Sequence, residues 1–231
     1  MIALTQAVAF FVGVVGPWRD VDELVGGTRV ARPIRVGIAL SLVLSALWLR
    51  FSATGLAAVY AEWIFLGMFA SFIGDLIMAR LIPVPSRLIG GMVAFGVGHG
   101  FYIKGYASTL AAAGVSLPTV PLVVGLLVYD GINLLGWQRF VRNPAKSQAL
   151  NVGALLYGAW IAVMAAFALA LAVALGGGWW LAALGGVVFI LSDFLIGTSE
   201  IRGNHIPRVS DWIWLTYIAG QMGIIYASAV A

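Results

Sequence analysis

LAAVYAEWIFLGMFASFIGDLIMA (Leu56–Ala79) is 24 residues of nearly continuous apolar sequence, broken by two acids, Glu62 and Asp75. The hydrocarbon core of a bilayer takes about 20 such residues in a helix, so the stretch reads as a membrane span. Asp75 is then an anomaly near one of its ends. Working outward, the same rule finds seven further segments, at about 2–16, 34–50, 87–106, 118–137, 149–172, 179–199 and 211–229. The first is short. Its sequence, MIALTQAVAFFVGVVG, lacks the basic n-region of a signal peptide and is read as a helix. The expected fold is an all-α integral membrane protein with eight transmembrane helices, residues 1–231 forming a single polytopic domain.

Composition agrees. The chain is 62% hydrophobic and 10% charged, against about 25% charged in soluble domains. Pro17, Pro83, Pro85, Pro118, Pro144 and Pro207 fall in connections or at helix starts, where proline costs least. Trp48, Trp63, Trp137, Trp179, Trp180 and Trp212 lie near segment ends, as an interfacial belt would. With eight segments, the odd-numbered loops carry eleven of the thirteen Lys and Arg, leaving Arg50 and Lys104 for the other side. By the positive-inside rule those loops are cytoplasmic and both termini lie outside; the expected location is the cell (inner) membrane. The net charge of +4 therefore reports topology, and no nucleic-acid partner is expected.

An ionised aspartate at the bilayer centre costs about 2.5–3.5 kcal/mol, so such residues face a cavity or a partner. At 1.5 Å per residue, Asp75 lies about 7 Å and Asp193 about 10 Å from the cytoplasmic ends of their helices, and His99 about 18 Å from that of its own. Asp130 and Asn133, one turn apart, occupy a similar inner position. Tyr217 and Gln221 share a face at i, i+4. Four separate helices thus offer polar groups in the inner half or the middle of the membrane. Glu62 reads as a wetted interfacial acid, and Asp211 as N-terminal chemistry of the last helix. Small residues at Gly67, Ser71 and Gly74, and at Gly91 and Gly98, mark seams for close packing. "FIGDLIMA" also resembles "ILSDFLIG", with aspartates 118 positions apart, and that offset carries His99 onto Tyr217. This weak repeat suggests two parallel four-helix halves.

No G-x-S-x-G, H-E-x-x-H, P-loop or G-x-G-x-x-G motif is present. Cysteine is absent, and the two histidines, His99 and His205, argue against a histidine-rich metal site. No metal or cofactor is expected.

"SFIGDLIMA" followed by "RLIGGMVAFGVGHGFYIKGY" resembles the G-D and F-x-x-x-H-x-x-Y core of the YhhN-like family, whose characterised members are the lysoplasmalogenases, including the mammalian transmembrane-protein-86 group. "ARPIRVGIALSLVLSAL", "GALLYGAWIAVMAAFALA" with Tyr157 and Met164, "LGGVVFILSDFLIGTSEI" and "TYIAGQMGI" follow in the family's order. The resemblance covers about residues 32–229. Arg32 replaces the usual lysine before Pro33, and "EIRGNHIPRVS" has no counterpart; it is a candidate cap over the site. The resemblance implies a membrane hydrolase that splits the vinyl ether of a lysophospholipid into a fatty aldehyde and a glycerophospho-headgroup. Its polar motif maps onto Asp75, His99, Tyr102, Asp193, Tyr217 and Gln221.

Such chemistry needs a proton donor, a negative charge beside an oxocarbenium ion, and a positioned water. Two carboxylates in different surroundings divide the first two tasks. Asp75 and Asp193 are the candidate pair, with His99 handling the water. Tyr102, Asp130, Asn133, Tyr217 and Gln221 are the candidate substrate contacts. The sequence leaves open which aspartate is the acid. The expected partners are the lysophospholipid and surrounding membrane lipids. The alternative is a small proton- or lipid-coupled membrane transporter or lipid-binding protein using the same intramembrane acids.

Overall fold

The computed structural model describes residues 30–231, so the expected first helix at 2–16 lies outside the described residues. Seven α-helices follow: α1 (Arg32–Ser52), α2 (Gly55–Met78), α3 (Arg87–Ala112), α4 (Thr119–Gly136), α5 (Gln148–Leu175), α6 (Trp180–Ile196) and α7 (Val209–Val230). Each expected segment from the second onward becomes one of them. No strand occurs among the described residues.

Local chemistry sets the boundaries. Pro33 opens α1 in the first turn, where its missing N–H costs nothing. Ser86 and Ser147 cap α3 and α5, their hydroxyls accepting from Ile89 N at 3.4 Å and Leu150 N at 3.3 Å. α4 and α6 each run on into one π-helical turn, Trp137–Val141 and Gly197–Ile201. These turns abut: a Cβ on Gly197 would lie 3.0 Å from Val141. Asn143 locks them together, donating to Ile201 O at 2.9 Å.

Six of the seven helices are long and apolar enough to cross a membrane, which suggests a multi-pass membrane protein. The exception is α3. It has 26 residues, but Arg87, His99, Lys104 and its many glycines dilute its hydropathy. The expectation of eight spans thus becomes six among the described residues. α3 stays inside the bundle, burying Phe95, His99, Tyr102 and Tyr106. By contrast, α4 buries only Leu122 and Gly125, and Val120, Leu127 and Ile132 are 73%, 71% and 60% exposed. Such a surface suits lipid rather than water.

The bundle is tightest where glycines meet. Gly67 and Gly74 of α2 face Gly98 and Phe95 of α3: a Cβ on Gly67 would lie 2.9 Å from Gly98 O, and one on Gly74 2.8 Å from the Phe95 ring. In α6 against α7, a Cβ on Gly185 would lie 2.6 Å from Gly220 O. Without a hydrophobic drive between helices in lipid, such close backbone approach supplies the packing. Trp48, Trp180 and Trp212 are exposed, in keeping with an interfacial belt. Trp179 departs from it, folding inward onto Tyr60 with ring centroids 4.9 Å apart.

Gly185→Val should therefore force α6 from α7 and destabilise the protein by about 1–3 kcal/mol. Gly37→Ala and Gly131→Ala, whose added methyl would meet nothing within 4 Å, should not. Thermal unfolding in detergent checks the contrast.

Candidate functional site

α2 and α6 carry the two aspartates into the bundle along unbroken helix. Asp75 receives a hydrogen bond from Tyr217 Oη of α7 at 2.7 Å. Asp193 receives one from Tyr157 Oη of α5, also at 2.7 Å. Each carboxylate thus has one phenol as donor and keeps its other oxygen for something else.

Both line one polar cavity of about 850 Å³. Asp75, Asp193, Ser192 and Tyr217 line it within the helices. Arg32, Arg35, Arg80, Arg87 and Arg208 line it at or beside helix ends, and the exposure of Arg32, Arg80 and Arg208 marks that side as its mouth. Arg87 pairs with Glu200 of the second π turn. The segment after that turn, through Asn204 and His205, forms part of the wall. Asn204 fixes it, donating to Thr198 Oγ1 at 2.8 Å.

A second cavity of about 670 Å³ opens between α3, α4, α5 and α6. Its walls are apolar, with Met92, Ile132, Leu191 and Phe194 among them. Met78, Phe95, Asp193 and Ile196 line both cavities. Asp193 thus borders both spaces.

Behind these walls lies a dry network of hydrogen bonds. Tyr102 Oη donates to Gln221 Oε1 at 2.7 Å, and Gln221 Nε2 reaches Tyr217 Oη at 3.4 Å. His99 is fully buried and stands behind Tyr157, its Nε2 3.5 Å from the phenol oxygen. With the phenol proton given to Asp193, that contact needs Nε2 to carry the imidazole hydrogen. Nδ1 has no partner among the described residues. Phe189 fills the middle, edge-on to His99 at 4.8 Å and to Tyr217 at 5.5 Å. Among the described residues, no group of three or more His, Asp or Glu gathers in metal-ligating geometry.

Six of the expected residues thus fall into one connected cluster: Asp75, Asp193, Tyr217, Gln221, Tyr102 and His99. Only Asp75, Asp193 and Tyr217 reach the polar cavity; Tyr102, Gln221 and His99 support them from behind. Asn133 lines the apolar cavity and donates to Leu155 O at 3.4 Å. Asp130, one turn away, lines neither cavity. Glu62 pairs with Arg50 at 2.6 Å, away from both cavities. Asp211 lies in the first turn of α7, where a carboxylate complements the helix dipole. Tyr157 was the omission among the expected site residues. Its signals were its place in the family-like segment GALLYGAWIAVMAAFALA and its being the lone phenol of the Ala-rich α5.

The sequence model of the YhhN family matches residues 33–228. The chain belongs to the YhhN family. The matched span takes in α2 to α6 and nearly all of α1 and α7, so every member of the cluster lies inside the YhhN region. Comparison with curated proteins and with solved structures gives no match.

Tyr102→Phe should leave Gln221 Oε1 unpaired in a dry site and destabilise this YhhN protein by about 1–3 kcal/mol. Adding Gln221→Met should recover part of that loss, since it removes the unpaired Oε1, and only part, since Tyr217 Oη then loses its contact with Gln221 Nε2. A double-mutant cycle on thermal unfolding reads the coupling.

Proposed function

We propose that this protein is a membrane hydrolase that cleaves the vinyl ether bond of lysoplasmalogen-type lysophospholipids, releasing a fatty aldehyde and a glycerophospho-headgroup. One observation carries the reading: two carboxylates line one polar cavity, and one of them, Asp193, also borders an apolar cavity. A single-chain amphiphile divides in the same way, and its vinyl ether lies at the division.

The geometry also favours an assignment of roles. Hydrolysis begins with proton transfer to the vinyl carbon farther from the ether oxygen, on the chain side. Asp193, which borders the apolar cavity, is placed to supply that proton. Asp75, which borders only the polar one, faces the ether oxygen and the carbon that becomes cationic. Its carboxylate stabilises the oxocarbenium ion and takes a proton from the water that adds to it. The hemiacetal then collapses: its hydroxyl proton returns to Asp193 as the aldehyde C=O forms, and Asp75 protonates the departing glycerol oxygen. Both groups end as they began. Tyr217 and Tyr157 hold the two carboxylates in place, and His99 acts on Asp193 through Tyr157.

Two further features support parts of this reading. The mouth of the polar cavity carries the arginines that the positive-inside rule assigns to the cytoplasm, so the lipid enters from that leaflet. The offset of 118 relating Asp75 to Asp193 also relates Gly67 to Gly185 and His99 to Tyr217. Applied to the Asp75–Tyr217 bond, it yields the Asp193–His99 pair that Tyr157 bridges, as two parallel repeats around one site would. The transporter alternative would favour half-helices ending at the acids, whereas α2 and α6 run through Asp75 and Asp193.

Purified protein should release aldehyde from a vinyl ether lysolipid and not from its alkyl ether or acyl counterparts. Asp75→Asn and Asp193→Asn should each cut the rate by about 100-fold or more while thermal unfolding stays cooperative. Full activity in either variant would sink the pair. Tyr157→Phe should lower kcat by about tenfold with little change in KM, because it loosens an acid without touching the headgroup.

A further inference from the structure

The polar cavity contains donors that the hydrolytic steps do not use. Arg35 Nε and Trp214 Nε1 are buried and have no hydrogen-bond acceptor among the described residues. Both side chains line the cavity. Buried N–H groups are nearly always satisfied, so two unsatisfied ones on a single cavity call for an acceptor from outside the chain. They approach from different helices, Arg35 from the first turn of α1 and Trp214 from α7. Trp214 precedes Tyr217 by three residues on α7, which is about one helical turn, or 5 Å.

Cations outnumber acids in the cavity's lining, five arginines to three carboxylates. Arg87 is matched by Glu200, and Arg32, Arg80 and Arg208 join Arg35 in the wall. Arg32 Nη1 also donates to Ala79 O at 3.3 Å. Of the acids near Arg35, Asp75 is already bonded to Tyr217 and Asp211 has a further interaction of its own. Arg80 and Arg208 are the two non-glycine residues with positive φ among those described, at 59° and 57°. Each stands at a helix end that a glycine would occupy more cheaply. Guanidinium forks converging from several elements suit an anion with several acceptor oxygens, and a tetrahedral phosphate offers them in the most directions.

We propose that the mouth of the polar cavity is a phosphate-binding site in which Arg35 and Trp214 are the directed donors and Arg32, Arg80 and Arg208 supply the field. It rests on the proposed function only for the ligand's tail, which would occupy the apolar cavity. A phosphate held beside Trp214 stands about one helical turn from the Asp75–Tyr217 pair, a gap that the three-carbon glycerol of a lysolipid bridges.

Binding is measured by calorimetry on the purified full chain in phosphate-free detergent, so no turnover is needed. The probes are an uncleavable alkyl ether lysophosphoethanolamine, the same alkylglycerol without phosphate, and inorganic phosphate. The phosphate-bearing lipid should bind at least about tenfold tighter than the alkylglycerol. Arg35→Gln and Trp214→Phe should each remove most of that difference and leave alkylglycerol affinity unchanged, which also reports an intact fold. Saturable binding of inorganic phosphate, lost in both variants, with the two lipids binding equally, would assign the site to the free anion. Equal affinity for the two lipids without phosphate binding would overturn the proposal. So would variants that weaken both lipids alike, since that marks a packing role. Vinyl ether cleavage separates the two readings. No aldehyde with selective lipid binding removes the hydrolase and keeps the site. Equally efficient cleavage with and without the phosphate, by kcat/KM, does the reverse.

Discussion

Two carboxylates inside an apolar helix bundle are the constraint on which the rest of the structure depends. Each would cost a few kcal/mol if left alone in hydrocarbon. The chain meets that cost in two ways at once. Tyr217 and Tyr157 each donate one short hydrogen bond to an aspartate, and a polar cavity keeps the remaining faces of both within reach of water. The phenols must themselves be held. Gln221, Tyr102 and His99 do so from the dry side, and Phe189 braces the rings between them. A polar network of this kind is rigid because every loosened member leaves another unsatisfied.

The cavity's shape follows from how the helices approach. Glycine contacts clamp α2 to α3 and α6 to α7, fixing the two acid-bearing helices firmly against their neighbours. α4 leans on the bundle through few buried residues, and the apolar cavity lies beside it. The tight pairs thus carry the carboxylates, and the loosely packed helix borders the space fit for a hydrocarbon chain. Two π turns close this end, and the segment after the second walls the polar cavity.

Much of this was legible in one dimension. The second to eighth apolar segments became helices within a few residues of their expected limits, because length and hydropathy are local properties. Asp75, Asp193 and His99 were marked by their cost in an apolar setting, Tyr217 and Gln221 by a shared helix face, and Tyr102 by the family resemblance. Two cases failed for a common reason. Asp130 was grouped with the site because its depth matched, yet depth does not say which way a residue faces. α4 is apolar around most of its circumference, so no periodicity distinguishes the Asn133 side from the Asp130 side. Tyr157 was noted in the family-like segment but left out of the site, because a phenol in a membrane helix is cheap and nothing local marks its partner. α3 erred the other way: its glycines and His99 lowered its hydropathy while fitting it for the interior.

The sequence by itself determined the helical architecture of the described region, the segregation of basic residues, the membership of the family and most of the polar cast. Only the tertiary structure decided the pairings. Asp75 meets Tyr217 across 142 positions and Asp193 meets Tyr157 across 36. It also decided that Asp193 borders two cavities, that His99 works from behind a phenol, and that Arg35 and Trp214 face the same polar space. The physical reason is that insertion cost is summed along each helix, whereas a site is made by helix crossings, and those are set by side-chain contacts between segments distant in sequence.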